Sequence, residues 1–167
     1  MVSVTTVFGS IDSFKKGGVE ITGNEDARDY LFSNMFEVAG NAAPWERTVI
    51  AKNLENTIEC IRAEGDSPWY ICNHDETALL MQGSMEVRFI QPADSGLAPP
   101  EEKQGSVKLA GQPEGRAMGH VNATRGHLVL LPAGAAYQFR AQELSVILLQ
   151  TIQGDESVEN WAEICQH

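Results

Sequence analysis

Tyr70-Ile71-Cys72-Asn73-His74-Asp75-Glu76 and Gly126-His127-Leu128-Val129-Leu130-Leu131-Pro132-Ala133-Gly134 are the two stretches on which the reading of this chain turns. Six residues separate Glu76 from Gly83, which is followed by the strand Ser84 to Phe89, and a glycine there permits a tight reversal between strands. In the second stretch, Pro132 and Gly134 turn the chain at the end of an apolar run without demanding an unfavourable φ. The two stretches therefore bracket a strand, a turn, a strand and a long connection.

Around them the pattern is one of short strands broken by Gly, Pro and Asn. We expect strands over Thr48 to Lys52, Thr57 to Arg62, Trp69 to Cys72, Ala78 to Met81, Ser84 to Gln91, His127 to Leu131, Ala136 to Ala141 and Leu144 to Thr151. Many short strands suggest a sandwich or barrel rather than alternating βαβ units. Glu86-Val87-Arg88-Phe89-Ile90 alternates polar and apolar residues, so one face of that strand meets water. Residues 92–125 hold Pro99-Pro100 and several glycines and read as a long loop, with Val107 to Leu109 and Ala117 to Asn122 able to form an extra hairpin.

Helical spacing occurs at both ends. Ala27, Tyr30, Leu31 and Met35 recur at helical intervals behind Asn24, a good N-cap, with Glu25 and Asp26 complementing the dipole, which predicts a helix between Asn24 and Val38. Val158, Trp161, Ala162 and Cys165 predict a C-terminal amphipathic helix. The expected layout is a single domain, 1–167: an N-terminal extension over 1–45, a barrel over 46–151 and a C-terminal helix over 152–167.

Composition narrows the functional classes. A chain of 167 residues is about one domain's worth. The formal net charge is −11 with only 12 Lys and Arg, so the surface repels phosphate backbones and anionic lipid; neither nucleic acid nor membrane is an expected partner. No apolar run is long enough to span a bilayer, and Met1 to Ser10 lack a signal-peptide pattern, which predicts a cytoplasmic protein. Cys60, Cys72 and Cys165 are an odd number without metal-site spacing and fit reduced thiols.

Glu76 with Gly83, and Gly126 with Pro132 and Gly134, resemble the two motifs of the cupin superfamily at the right spacings. The fold this implies is an all-β cupin double-stranded β-helix, a jelly-roll barrel, here with short N- and C-terminal helices. In metal-holding cupins the first motif carries two histidines and the glutamate, and the second a further histidine. Here those histidine positions hold Tyr70, Cys72 and Tyr137, and only Glu76 remains. A non-haem iron site wants two imidazoles and a carboxylate with open positions, so no metal is expected in this chain and no catalytic residue is assigned.

A shifted site can be drawn from His74, Glu76 and Cys72, which share parity in an extended segment, with His120 or His127 as a further ligand. The other reading of His74 is a hydrogen-bonded loop residue. Tyr70 and Tyr137 read as barrel filling in the volume a metal and its waters would take, or as two phenol donors of a small-ligand pocket. Trp45 and Trp69 read as core anchors or interface residues.

Pro44-Trp45-Glu46-Arg47-Thr48 and Ser67 to Glu76 resemble the small (alpha) subunit of two-component hydroquinone 1,2-dioxygenases. That resemblance implies a larger cupin subunit that holds Fe(II) and catalyses, an α2β2 heterotetramer, and ring opening of hydroquinone with O2 to 4-hydroxymuconic semialdehyde in aromatic degradation. It leaves open whether a side chain such as Trp69 reaches the partner's substrate pocket. Two rivals remain: an independent cupin iron dioxygenase or isomerase using His74 and Glu76, and a stand-alone cupin that binds a small molecule.

Overall fold

The computed structural model describes residues 9–14, 20–21, 31–32, 34–100 and 102–160. Two short strands, β1 (Glu20–Ile21) and β2 (Leu31–Phe32), pair antiparallel ahead of the helix α1 (Met35–Asn41). Ten strands then share one sheet: β3 (Arg47–Asn53), β4 (Asn56–Asp66), β5 (Tyr70–Ile71), β6 (Glu76–Gln82), β7 (Ser84–Pro92), β8 (Val107–Lys108), β9 (Gly115–Thr124), β10 (Leu128–Leu131), β11 (Ala136–Ile152) and β12 (Ser157–Val158).

Strand β11 holds the sheet together. Its first part pairs with β5 and β7 and its second part with β6, while β4 pairs with it from Arg140 to Ile152 across a register shift between Ala141 and Ser145. The sequence suggested two strands here. The extra residues are taken up as a bulge, which bends a strand without ending it and lets one strand serve both layers of a curled sheet. Inward residues of both layers form the main core, among them Ile61, Leu80, Val87, Phe89, Leu131, Phe139, Ile147 and Leu149.

At the β6–β7 turn, Gly83 has φ 82°, and a Cβ there would overlap the Ser145 hydroxyl. Only glycine fits that corner.

The terminal elements differ from expectation. The helix begins at Met35, where the Asn34 side chain accepts from the Phe36 amide at 3.0 Å, and the backbone at Leu31 and Phe32 is strand. Leu31 and Met35 thus belong to different elements, and the local cap at Asn34 sets the helix start. Asn24, Glu25, Asp26, Ala27 and Tyr30 lie outside the described residues. Phe36, Val38 and Ala39 pack on Ile50, Cys60 and Val146, covering part of the outer face of the sheet. At the other end, Val158 is in β12, paired parallel with β3 through Thr48, not in a helix; Trp161, Ala162 and Cys165 lie outside the described residues.

Residues 92–125 are more ordered than a loop. Val107 and Lys108 pair with β5, and β9 runs antiparallel along β7 from Ser84↔Thr124 to Pro92↔Gly115. The expected hairpin is absent because its two arms find different partners. Among the described residues no helix is long and apolar enough to cross a membrane.

Candidate functional site

Strand parity decides which side chains enter the barrel. On β4, Thr57, Glu59 and Ile61 alternate inward, with Thr57 opposite Thr151 and Glu59 opposite Leu149 on β11. Tyr70 lies directly across from Tyr137, and Glu76 across from Leu131. Arg47, the first residue of β3, pairs with Ile61. These registers bring one arginine, two glutamates, two tyrosines and several hydroxyls to one end of the apolar core.

Arg47 sits at the centre. Its Nε donates to Glu59 Oε2 at 2.6 Å, its Nη2 to Glu76 Oε1 at 3.2 Å and its Nη1 to the Ser106 hydroxyl, while Cζ lies 5.7 Å from the Tyr70 ring centroid. Glu76 also accepts from the Tyr137 hydroxyl at 2.6 Å and the Thr151 hydroxyl at 2.7 Å. Glu59 Oε1 accepts from Thr57 at 3.4 Å and from the Ser157 hydroxyl. Both glutamates are fully buried and Arg47 is 4 % exposed. Such charges persist in a low-dielectric interior only when paired and hydrogen-bonded, and here each is.

The electrostatics follow from that packing. Burial works against the Arg47 charge, but Glu59, Tyr137 and Glu76 more than offset it and hold the guanidinium protonated above its ordinary range. Burial, reinforced by the Glu76 charge, pushes the Tyr137 phenol well above the usual tyrosine value despite Arg47. Tyr70 is pushed up to about 12, chiefly by burial, and the Cys72 thiol to about 11 by burial and the Glu76 charge. At neutral pH Tyr70, Cys72 and Tyr137 are all protonated, so none is poised as a nucleophile or an anionic ligand.

The space among Trp45, Arg47, Ile61, Tyr70, Tyr137, Phe139 and Leu149 admits no water-sized molecule. Trp45 closes it from the edge, stacked on Phe139 with centroids 6.2 Å apart and its Nε1 donating to the Glu64 carbonyl at 2.9 Å. Its φ of 66° is an uncommon conformation for a bulky residue, held by these contacts. The space among these seven side chains therefore holds no substrate.

These residues do not fit divalent iron. The Arg47 guanidinium is ion-paired to Glu76, the one motif carboxylate, and the remaining motif positions offer protonated phenols and a protonated thiol. The shifted site is not assembled either. His74 Nδ1 meets the Asp75 carbonyl at 3.0 Å and its buried Nε2 has no partner, His127 Nδ1 accepts from the Thr124 amide at 3.2 Å, and His120 lies on the exposed strand β9. Among the described residues no three His, Cys, Asp or Glu side chains are placed to hold a metal.

Trp69 is buried with Ile90 and Ala136 in a separate cluster, with Leu109 packed against it. Tyr70, Glu76 and Tyr137, the motif positions of the sequence reading, lie together here, and Arg47, Glu59 and Thr151, which that reading did not name, join them. Their signal was parity: Thr57, Glu59 and Ile61 alternate on one face, so a glutamate among core positions calls for a buried cation.

A curled antiparallel sheet with a motif glutamate inside and glycine turns at Gly83 and Gly134 makes this protein a cupin. No family model and no curated protein sequence matches it. Among solved structures, a chain of "hydroquinone 1,2-dioxygenase PnpCD in complex with Cd2+ and 4-hydroxybenzonitrile" is 46% identical at TM-score 0.82, over 100% of this chain and 99% of that one. A chain of the hydroquinone 1,2-dioxygenase from Sphingomonas sp. TTNP3 with 4-hydroxybenzoate bound is 47% identical at TM-score 0.85, over 98% of each. The chain belongs to the hydroquinone 1,2-dioxygenase family and corresponds to its small cupin subunit. A second chain type, from PnpCD in complex with Fe3+, shares the fold at TM-score 0.57 and 10% identity; the match covers 83% of this chain but only 37% of that one, so PnpCD combines this kind of chain with another more than twice as long.

Proposed function

We propose that this chain is the non-catalytic, metal-free subunit of a cytoplasmic, heteromeric Fe(II)-dependent hydroquinone 1,2-dioxygenase, paired with the longer cupin chain in an α2β2 assembly. The reaction of that assembly would be O2-dependent opening of hydroquinone to 4-hydroxymuconic semialdehyde, with the iron in the longer chain. The observation that carries this reading is the Arg47 guanidinium, 3.2 Å from the motif glutamate in a barrel closed by Trp45. A chain so filled contributes surface rather than chemistry.

The outer face of the sheet supports a partnered state. Leu128 and Leu130 on the edge strand β10 are 67% and 56% exposed, and Leu128 lies across from Leu79, which in turn lies across from Leu148. An apolar row at a sheet edge is a liability for a lone chain and suits an obligate interface. The closed interior argues against a stand-alone cupin that binds a small molecule there.

The test is co-expression. With the longer chain, this chain is expected to co-elute as one species that cleaves hydroquinone with uptake of O2, while alone it is inactive and self-associates. Full activity of the longer chain by itself, or separation of the two on a sizing column at about micromolar concentration, would refute the subunit reading.

A further inference from the structure

Around Arg47 the barrel presents a cage of oxygens. Glu59 and Glu76 supply carboxylates, Tyr137, Thr151, Thr57, Ser106 and Ser157 supply hydroxyls, and these come from β4, β6, β11, β12 and the segment before β8. Carboxylate and hydroxyl oxygens are ligands for divalent cations, and among first-row ions a given site holds Co2+ more tightly than Mn2+. The cage holds two carboxylates and one guanidinium, and the planar fork of arginine lets three different nitrogens address Glu59, Glu76 and Ser106 at once. A metal and this guanidinium cannot both occupy that place.

We infer that Arg47 is the built-in counter-cation of this barrel: its guanidinium does for Glu76 and Glu59 what a bound divalent metal does for the glutamate of a metal-holding cupin, and removing it converts the same cage into a divalent-cation site. The inference deepens the metal-free reading above and rests on it. It assigns to Arg47 a role that the motif alone does not reveal, since β3 lies outside both cupin motifs.

The experiment uses the full-length chain with Co2+ as the probe, read by bound metal after desalting and by thermal unfolding. Wild type is expected to retain no Co2+ and show no change in Tm on adding it. Arg47→Met, which keeps much of the apolar stem, is expected to lose about 10 °C in Tm, because two buried carboxylates are left without a cation. It should then take up about one Co2+ per chain and recover most of that loss, as ligand linkage requires. Arg47→Met/Glu76→Gln, with one carboxylate fewer, should be more stable than Arg47→Met without metal and bind no Co2+.

If Arg47→Met does not fold unaided, recovery of soluble chain on refolding with Co2+ but not without it gives the same answer. An Arg47→Met chain that takes up no Co2+, with no rescue by Glu76→Gln, would show that the guanidinium acts by packing alone and would overturn the inference while leaving the subunit reading intact. Stoichiometric Co2+ in the wild-type barrel would overturn the inference and the metal-free reading together.

Discussion

Replacing Tyr137 with phenylalanine removes one hydroxyl and tests whether the phenol fills space or holds a charge. The hydroxyl donates to Glu76 Oε2 at 2.6 Å between two fully buried side chains, and Glu76 is ion-paired to Arg47. Phenylalanine keeps the ring, so its tilted contact with Tyr70 at 5.8 Å and its edge contact with Phe139 at 5.4 Å survive. What is lost is a hydrogen bond to a charged acceptor, worth about 1.5–3 kcal/mol, against about 0.5–1.5 for a neutral pair. For a chain of this size that lowers Tm by about 3–12 °C.

Thr151→Val is the matched control. Its hydroxyl meets Glu76 Oε1 at 2.7 Å, but that oxygen keeps the Arg47 Nη2, so a smaller loss is expected. Urea unfolding with an unchanged slope gives both values directly. A Tyr137→Phe loss below about 0.5 kcal/mol, or one no larger than Thr151→Val, would refute the charge-holding role. In the assembled enzyme KM for hydroquinone should not move; a rise in KM without loss of stability would mean that the phenol meets substrate.

Two further predictions concern the turn glycines and alkaline stability. Gly83→Ala places a Cβ 2.9 Å from the Ser145 Cβ and 3.0 Å from the Leu144 carbonyl at φ 82°, so strain and clash together should remove about 2–5 kcal/mol. Gly134→Ala, at φ 72° with nothing within 4 Å, should remove only the backbone part, about 1–2 kcal/mol; equal urea midpoints for the two variants would count against the clash. Burial raises the Cys60 thiol from 9.0 to about 12, Cys72 from 9.0 to about 11 and Tyr70 from 10.0 to about 12. An acid whose folded pKa is raised gives stability that is complete below its unfolded pKa and is lost as pH climbs toward the folded one, so Tm should be steady through neutrality and fall from about pH 9, at up to about 1.4 kcal/mol per pH unit per group. In a Cys165→Ser background, Cys60→Ala/Cys72→Ala should delay that fall by about one pH unit, until the tyrosines begin to titrate.

The β-strands and the glycine corners were legible because they are local. Alternation, Gly83 and the Pro132-Ala133-Gly134 turn report on their own neighbourhoods. The helix was misplaced because Leu31 and Met35 have helical spacing across what is a strand followed by a cap, and the Asn34 cap outweighs the weaker periodicity upstream. β11 was divided because Gln142, Glu143 and Leu144 interrupt its alternation, and a bulge in sequence looks like a turn. The motif stretch revealed that the metal ligands were missing but not what replaced them. Arg47 is 29 residues from Glu76, and only the curl of the sheet brings the two within a hydrogen bond.

The same network gives Glu76 a structural role among the packed side chains around Arg47 and Tyr137. Through Arg47 it reaches Ser106, and through Glu59 it reaches Ser157, so the interior fastens both the long segment before β8 and the turn into β12. Those two segments meet backbone to backbone: a Cβ on Gly105 would lie 2.6 Å from Gly154 Cα, and one on Gly154 would lie 2.7 Å from the Gln104 carbonyl. Fully buried charges thus set the shape of exposed loops. Loss of the guanidinium leaves two buried carboxylates without a cation and releases Ser106, and loss of Glu59 releases Ser157, so the three residues are energetically coupled. The network thus fastens the segment before β8 and the turn into β12 to the interior, which suits the proposed role of a subunit that works by contact.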